Sequence, residues 1–489
     1  MENNLTGMRS ADGLQIGERC FLDADQAVFA RLSGDYNPMH MDEVAARRLL
    51  AGQKIVHGMH LVLWALEYWL GKYPGVPQGI KCDFKSPVHV GSKVIYFHKK
   101  LNSNKSIIRC YAENLLCLKI TLLVGSEPAC QLESTDELSG ADSVFLEKVP
   151  EPSDRPAQDQ PGRKYKILLV EDNQTGFPYC QLRLGGLVFS ALCSLSFFGG
   201  MICPGLHSLF STLDIKLNLL EEGGAYLFYS VDSFDSRFDL FYISVSGVIS
   251  GEITAFQRPP PVQQASLTTV STQIMAGEFA NTKSLIIGGS RGLGEYTAKL
   301  LVAGGGDVIL TYAQGLADAR RVCSELHVFR AGSCKIQKYN VLGDPVESLV
   351  PEDIQSLDAV YFYATPKIFR KKSSLFDKKI FDDFFAIYVL RFYALCSYLE
   401  SVRLNHIKVF LPSSVAITER PDHLAEYAMA KMSSELLAEE MNKSYSRVSV
   451  IVSRLPRLDT DQTATILKVA SASTLDNLLP VIRSMQHQS

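Results

Sequence analysis

The sequence predicts two fold classes in one chain. The first half reads as α+β, with sheets wrapped round very apolar helices, and the last part as α/β, a doubly wound parallel sheet. Three observations carry this. Two segments, HGMHLVLWALEYWLG at His57–Gly71 and GLVFSALCSLSFF at Gly186–Phe198, are apolar almost all round, and each is followed by strand-like runs. From Lys283 onward strands and helices alternate. Between these regions lie two Pro-rich polar stretches, EPSDRPAQDQPGR and QRPPPVQQ. With 489 residues the chain has room for about three domains. The expected division is 1–135, a linker at 136–163, a second and more degenerate copy of the first plan at 164–256, a linker at 257–274, and the α/β domain at 275–489.

In the first segment Asp23–Leu32 is a short apolar-periodic helix, and Asp42 can cap another through Leu50. His57–Gly71 is the buried helix, and Lys93–Phe97, Ile107–Tyr111 and Leu115–Val124 follow as strands. The middle segment repeats the pattern without repeating the letters: Ile167–Val170, the apolar helix, then Ala225–Val231 and Phe241–Ile249. In the last segment KSLIIGG leads into RGLGEYTAKLLVAGG, then DVILTYA and a helix around Ala317–Leu326. LDAVYFYAT, HIKVFLPSS and RVSVIVSRL are further strands.

Lys+Arg 49 against Asp+Glu 52 leaves no basic field, so no nucleic-acid partner is expected. No apolar run reaches about 20 residues, so no membrane span is expected. Eleven scattered cysteines without a CxxC pair suggest reduced, partly buried thiols, no metal site and a cytoplasmic protein.

LSGDYNPMHMD, from Leu32, packs Asp35, Asn37 and His40 into a turn bent by Gly34 and Pro38. A carboxylate and an imidazole at this spacing can hold one water and move its protons. Asp, Asn and Pro are also common turn residues, and an Asp can simply cap a helix. Together with IVHGM at Ile55–Met59 and FKSPV–G at Phe84–Gly91, the string resembles the MaoC-like (R)-specific enoyl-CoA hydratases over about residues 15–125. The resemblance implies a hot-dog fold and reversible hydration of a trans-2-enoyl thioester. It also implies that Asp35 and His40 are the acid/base pair, that Asn37 orients them, and that the Gly58 amide binds the thioester oxygen. An N–H at a helix N-terminus suits a developing enolate. Which of Asp35 and His40 moves which proton stays open. The middle segment lacks D-x-N-P-x-H, and its one histidine is His207. It reads as a degenerate second hot dog, the alternative being an unrelated packing or oligomerisation domain. In double hot-dog relatives the motif lies in the second half; here it lies in the first.

Gly288-Gly289-Ser290-Arg291-Gly292-Leu293-Gly294 follows a strand and opens a helix, where backbone can approach a pyrophosphate. Tyr427 and Lys431 lie one helical turn apart, so the ammonium is expected to lower the phenol pKa toward neutral. Ser414 ends the preceding strand. Together these resemble the short-chain dehydrogenase/reductases over about residues 281–470. The resemblance implies a Rossmann fold, catalysis by Ser414, Tyr427 and Lys431, and a dinucleotide on Gly288, Ser290, Arg291, Gly292, Leu293 and Gly294, with Thr460 at its nicotinamide end. The chain departs from the family at Ile287 (Thr), at Phe362-Tyr363-Ala364-Thr365 (Asn-Asn-Ala-Gly), at Asn340 (acidic), at Tyr388 (Asn) and at Arg457 (Gly). The end of the second strand offers no Asp or Glu for a ribose 2′-hydroxyl, while Arg291 could meet a 2′-phosphate, so NADP(H) is expected over NAD(H).

Joined, the two sites imply a bifunctional acyl-thioester enzyme. It would reduce a 3-oxoacyl thioester with NADPH and reversibly dehydrate the 3-hydroxyacyl product, on coenzyme A or an acyl carrier protein, as a homodimer. Tethering would raise the effective concentration of the shared intermediate. A degradative direction is the rival within that class. Two different classes of function fit the same motifs: a monofunctional hydratase with an inactive reductase-like domain, and a reductase of a polyketide or sugar carbonyl.

Overall fold

The computed structural model describes residues 12–49, 51–125, 144–146, 149–171, 176–218, 225–349, 354–370, 374–465 and 469–486. The chain forms two units, Met1–Pro260 with Thr465–Lys468, and Pro261–Ala464 with Val469–Ser489.

The N-terminal unit holds β1 (Leu14–Cys20), β2 (Val76–Phe84), β3 (Lys93–Asn102), β4 (Lys105–Ala112), β5 (Leu115–Gly125), β6 (Val144–Leu146), β7 (Lys164–Leu168), β8 (Ser208–Leu217), β9 (Tyr226–Asp235), β10 (Leu240–Ser246) and β11 (Ile249–Gln257). They make one sheet in the order β1-β3-β4-β5-β2-β8-β11-β10-β9-β7-β6. The helix Gly58–Leu70 falls between β1 and β2, and the helix Gly186–Phe197 between β7 and β8. Each strand–helix–four-strand set therefore has the same order: first, third, fourth, fifth, second. This is the hot-dog arrangement, and it occurs twice. The halves join through antiparallel pairing of β2 with β8, from Gly79 opposite Lys216 to Asp83 opposite Thr212. That pairing removes an exposed sheet edge from each half. Both helices are almost wholly buried, and their side chains share one apolar core with the inner face of the sheet. The pattern of two apolar helices, each leading into strands, is thus present as a structural repeat.

Two strands of the first half escape period-2 reading. β1 is bulged between Gln15 and Gly17, and a Cβ at Gly17 would come within 2.5 Å of the Tyr68 ring. β2 carries Pro77 and Gly79 at a bulge. Pro and Gly inside a run mask a strand unless the bulge is known. The helix expected from Asp42 ends at Arg47, and Leu50 lies outside the described residues. So do residues 136–143, the start of the first expected linker.

In the C-terminal unit β12 (Lys283–Ile287), β13 (Asp307–Tyr312), β14 (Cys334–Lys338), β15 (Ala359–Phe362), β16 (Ile407–Ser414) and β17 (Val448–Leu455) form a parallel sheet in the order β14-β13-β12-β15-β16-β17. The chain starts at the centre, winds to one edge, returns, and winds to the other. This is the Rossmann order, and its ligand crevice lies beyond the carboxyl ends of β12 and β15. Gly292–Ala303, Leu316–Phe329, Phe392–Val402 and Ala425–Ser444 are its principal helices. Among the described residues no single helix is long and apolar enough to cross a membrane.

Candidate functional site

The polar turn of the first half is built by its caps. The helix Asp23–Ser33 ends at Gly34 in the left-handed conformation (φ 87°), and the Ser33 hydroxyl accepts the Asp35 N–H at 3.1 Å. Asn37 caps the one-turn helix Pro38–Met41, its Oδ1 accepting the Met39 N–H at 3.1 Å. His40 sits on that turn. Its Nδ1 lies 2.7 Å from the Ile55 carbonyl, so a neutral ring carries its proton there and leaves Nε2 as an acceptor. Asp35, Asn37 and His40 are all buried. Nitrogen atoms of His40 and His57 and a carboxylate oxygen of Asp35 lie within 4.8 Å of one another. His57 serves the frame: its ring stacks on His40 with centroids 3.8 Å apart, and its nitrogens meet the Asp35 carbonyl (3.0 Å) and Gln26 Oε1 (2.9 Å).

Burial pushes the two groups to opposite poises. Loss of water raises the Asp35 pKa to about 7, against the Ser196 hydroxyl and the Asn37 N–H, which favour the carboxylate. Burial lowers His40 to about 4, and the nearby Arg258 charge adds to the shift. Near neutrality Asp35 can give a proton and His40 can take one.

The second half completes this site with residues that lie beyond any local motif. Ser196 Oγ donates to Asp35 Oδ2 at 2.7 Å. After Phe197 the helix widens into a π-turn, Phe198–Ile202, a device often found at functional positions. The carbonyls of Gly200, in this π-turn, and of Gly205, in the following 3-10 turn Gly205–His207, accept from Asn37 Nδ2 at 2.8 and 3.1 Å. Gly200 also lets Asp35 approach, because a Cβ there would lie 2.3 Å from Oδ1 and 2.6 Å from Oδ2. Both oxygens are held by hydrogen bonds and cannot swing clear. Gly200→Ala should therefore displace the carboxylate, cost about 1–3 kcal/mol of stability by overpacking, and lower enoyl thioester hydration at least ~10-fold. A thermal melt and a hydration assay check this; unchanged values for both would contradict the geometry. Gly58 opens the central helix with its N–H at the helix N-terminus, and a Cβ there would meet Phe84 at 2.9 Å.

In the C-terminal unit the expected residues gather at the carboxyl ends of the strands. Gly288 has φ 80° and Gly292 φ 58°, and a Cβ on Gly294 would lie 2.4 Å from the Gly288 carbonyl. This loop stands at the N-terminus of the helix Gly292–Ala303. Ser290 is buried, Leu293 packs against the core, and Thr460 lies beside Gly292. A backbone cradle that side chains would fill, at the positive end of a helix, fits a dinucleotide pyrophosphate. Arg291 is turned to Asp461, its Nη1 3.3 Å from Oδ2, and Asp461 Oδ1 accepts the Val262 N–H at 2.9 Å.

Ser414 ends β16 and hydrogen-bonds to the buried phenol of Tyr427. The expected lowering of the Tyr427 pKa is overturned. Burial raises it, and the Ser414 hydrogen bond only partly opposes this. The reason is where the ammonium goes. Lys431 Nζ donates to the Pro412 carbonyl at 2.6 Å and stands 3.7 Å above the Tyr388 ring, against 5.8 Å from that of Tyr427. Burial lowers its own pKa to about 7. Tyr388 lies on a π-turn, Ala386–Arg391, and its hydroxyl is 2.5 Å from Thr365 Oγ1. The residue standing where an Asn was expected thus supplies an aromatic face for the lysine.

Fold and sites define a chain that joins a hot-dog unit to a Rossmann unit. A family model described as a MaoC like domain matches residues 11–108. The (R)-specific enoyl-CoA hydratase of Aeromonas caviae is 36% identical over 93 residues, 17% of this chain and 69% of that protein. The chain belongs, through this region, to the MaoC-like family. The mitochondrial 3-hydroxyacyl-[acyl-carrier-protein] dehydratase of Arabidopsis thaliana is 31% identical over 90 residues, 17% of this chain and 53% of that protein. For the C-terminal half, an uncharacterized oxidoreductase of Escherichia coli, YghA, is 25% identical over 220 residues, 41% of this chain and 73% of that protein.

Proposed function

We propose that the chain is a bifunctional acyl-thioester enzyme, reducing a 3-oxoacyl thioester with NADPH and reversibly dehydrating the 3-hydroxyacyl product to the trans-2-enoyl thioester. The observation that carries the hydratase half of this reading is the buried cluster in which a carboxylate oxygen of Asp35 and nitrogens of His40 and His57 lie within 4.8 Å of one another. In hydration, His40 Nε2 takes a proton from water as its oxygen adds to C3. Asp35 supplies the proton to C2, and the Gly58 N–H holds the thioester oxygen as it gains charge. Asn37 and Ser196 keep the carboxyl in place. The relatives named for coenzyme A and acyl carrier protein substrates support a thioester without choosing the carrier. The test supplies trans-2-enoyl thioesters on both carriers and follows loss of enoyl absorbance; product of (R) configuration is expected, and no turnover on either carrier defeats the hydratase assignment.

In the C-terminal unit the glycine loop, Lys431 and Thr460 would hold the dinucleotide, which supplies hydride when bound. Ser414 orients the substrate carbonyl, and Tyr427 protonates its oxygen. Lys431 must leave the Tyr388 face to reach a ribose. For a 2′-phosphate, Arg291 exchanges Asp461 for the phosphate. NADPH should therefore bind more tightly than NADH, and Arg291→Ala should narrow the gap. Calorimetric titration checks this, and tighter NADH binding by the wild type would reverse the cofactor assignment.

The seating of Lys431 on Tyr388 favours a second reading, a monofunctional hydratase whose Rossmann unit binds a dinucleotide without turning it over.

A further inference from the structure

Arg258 follows β11 in the N-terminal unit and is only 3% exposed. Its Nη2 donates to the Leu206 carbonyl at 2.6 Å, and the same carbonyl accepts from Asn37 Nδ2 at 3.3 Å. The guanidinium and the Asp35–Asn37 turn thus share one acceptor. Its charge is felt at His40, whose protonation it opposes. Burial lowers the Arg258 pKa only to about 10, so the group stays charged near neutrality. Among the described residues neither its Nε nor its Nη1 meets an acceptor, and no carboxylate pairs with it. The neighbouring His207, whose carbonyl accepts the Arg258 N–H at 2.8 Å, also has a buried Nδ1 without a partner. Burial and Arg258 lower the His207 pKa against Asp154, whose Oδ1 lies 3.3 Å from His207 Nε2.

A buried donor without an acceptor is costly, and more so when it is charged. Holding the Leu206 carbonyl needs no charge; a neutral donor would serve. An unpaired buried guanidinium next to a reactive turn is the arrangement that a bound carboxylate would satisfy. An alkyl chain brings no acceptor. The amide carbonyls of a pantetheine arm do, but every thioester carries them, so they cannot distinguish one acyl group from another.

We infer that Arg258 anchors a carboxylate carried on the acyl group, so that the hydratase site prefers the 2-enoyl thioester of a dicarboxylic acid to that of a simple alkyl acid. The inference rests on the hydratase reading of Asp35 and His40. A site built to hydrogen-bond a group discriminates strongly against the analogue that lacks it.

The test compares kcat/KM for hydration of trans-pent-2-enoyl-CoA and of the mono-CoA thioester of trans-pent-2-enedioic acid by the full chain. The wild type should prefer the carboxylated substrate at least ~10-fold. Arg258→Gln should lower turnover of the carboxylated substrate at least ~10-fold more than that of the alkyl one, and Arg258→Lys, which keeps the charge, should retain part of the preference. If Arg258→Gln does not fold, the wild-type ratio and Arg258→Lys decide. Equal wild-type rates, or equal loss on both substrates in Arg258→Gln, would overturn the anchor and leave Arg258 as a support for Leu206. A wild type that hydrates neither acyl group, on coenzyme A or on acyl carrier protein, removes the hydratase reading and the anchor with it, whereas hydration of the alkyl thioester alone removes only the anchor.

Discussion

Asp35→Asn should lower hydration of a trans-2-enoyl thioester at least ~10²-fold while making the protein more heat-stable than the wild type above neutral pH. The two effects have one origin. Burial lifts the Asp35 pKa from 3.8 to about 7, so the folded state holds a proton that the unfolded chain releases. Below about pH 4 both states are protonated and the group costs nothing. As pH rises toward 7 only the unfolded chain ionises, and wild-type stability falls; above about 7 the loss is complete. It amounts to no more than on the order of 4 kcal/mol at ~1.4 kcal/mol per unit. The asparagine variant lacks this loss, so its melting-temperature advantage should be absent near pH 4 and largest near pH 8. His40→Ala should abolish hydration too, but with lower stability, because it leaves a cavity beside His57. The poise of the pair also fixes the pH–rate profile: hydration should hold between about pH 4 and 7 and decline above, as Asp35 loses the proton it donates. Both variants should leave the NADPH-dependent reaction intact. An active Asp35→Asn, or equal loss of both activities in a folded variant, would contradict the assignment.

The second large effect is expected at Tyr427. Tyr427→Phe removes the phenol that hydrogen-bonds Ser414 and keeps the ring packed edge-on against Phe384 and Tyr388. Reduction of a 3-oxoacyl thioester should fall at least ~10²-fold with NADPH affinity nearly unchanged. Lys431→Ala should lower both, because the lysine would hold the nicotinamide ribose as well as tune the phenol. With Tyr427 raised by burial and Lys431 seated on Tyr388, that tuning has to arise when Lys431 moves. Single-turnover reduction and calorimetry separate the two effects. Equal rates for Tyr427→Phe and wild type would remove Tyr427 from the chemistry.

How much of this is legible in the sequence depends on distance along the chain. Asp35, Asn37 and His40 fall within six residues, so their turn announces itself, and the Gly288–Gly294 loop and Tyr427–Lys431 are equally local. Ser196 and Gly200 lie more than 160 residues from Asp35, and no spacing rule links them. The small residues Ser196, Gly199 and Gly200 closing an apolar helix are the available signal. Arg258 carries none, since a single arginine after a strand reads as a solvated end. β1 and β2 are hidden by bulges at Gly17 and Gly79. Helical spacing alone places Lys431 beside Tyr427, whereas the aromatic face of Tyr388 and the Pro412 carbonyl, from different elements, capture the ammonium.

Two consecutive reactions in one chain are the central claim. The most direct measurement gives the full-length protein NADPH and 3-oxoacyl thioesters, on coenzyme A and on acyl carrier protein, and follows NADPH oxidation and enoyl absorbance together. Oxidation of NADPH followed by a rise in enoyl absorbance is predicted, with Asp35→Asn stopping at the 3-hydroxyacyl thioester. A wild-type protein that binds NADPH but never oxidises it with any 3-oxoacyl thioester on either carrier would contradict the bifunctional reading.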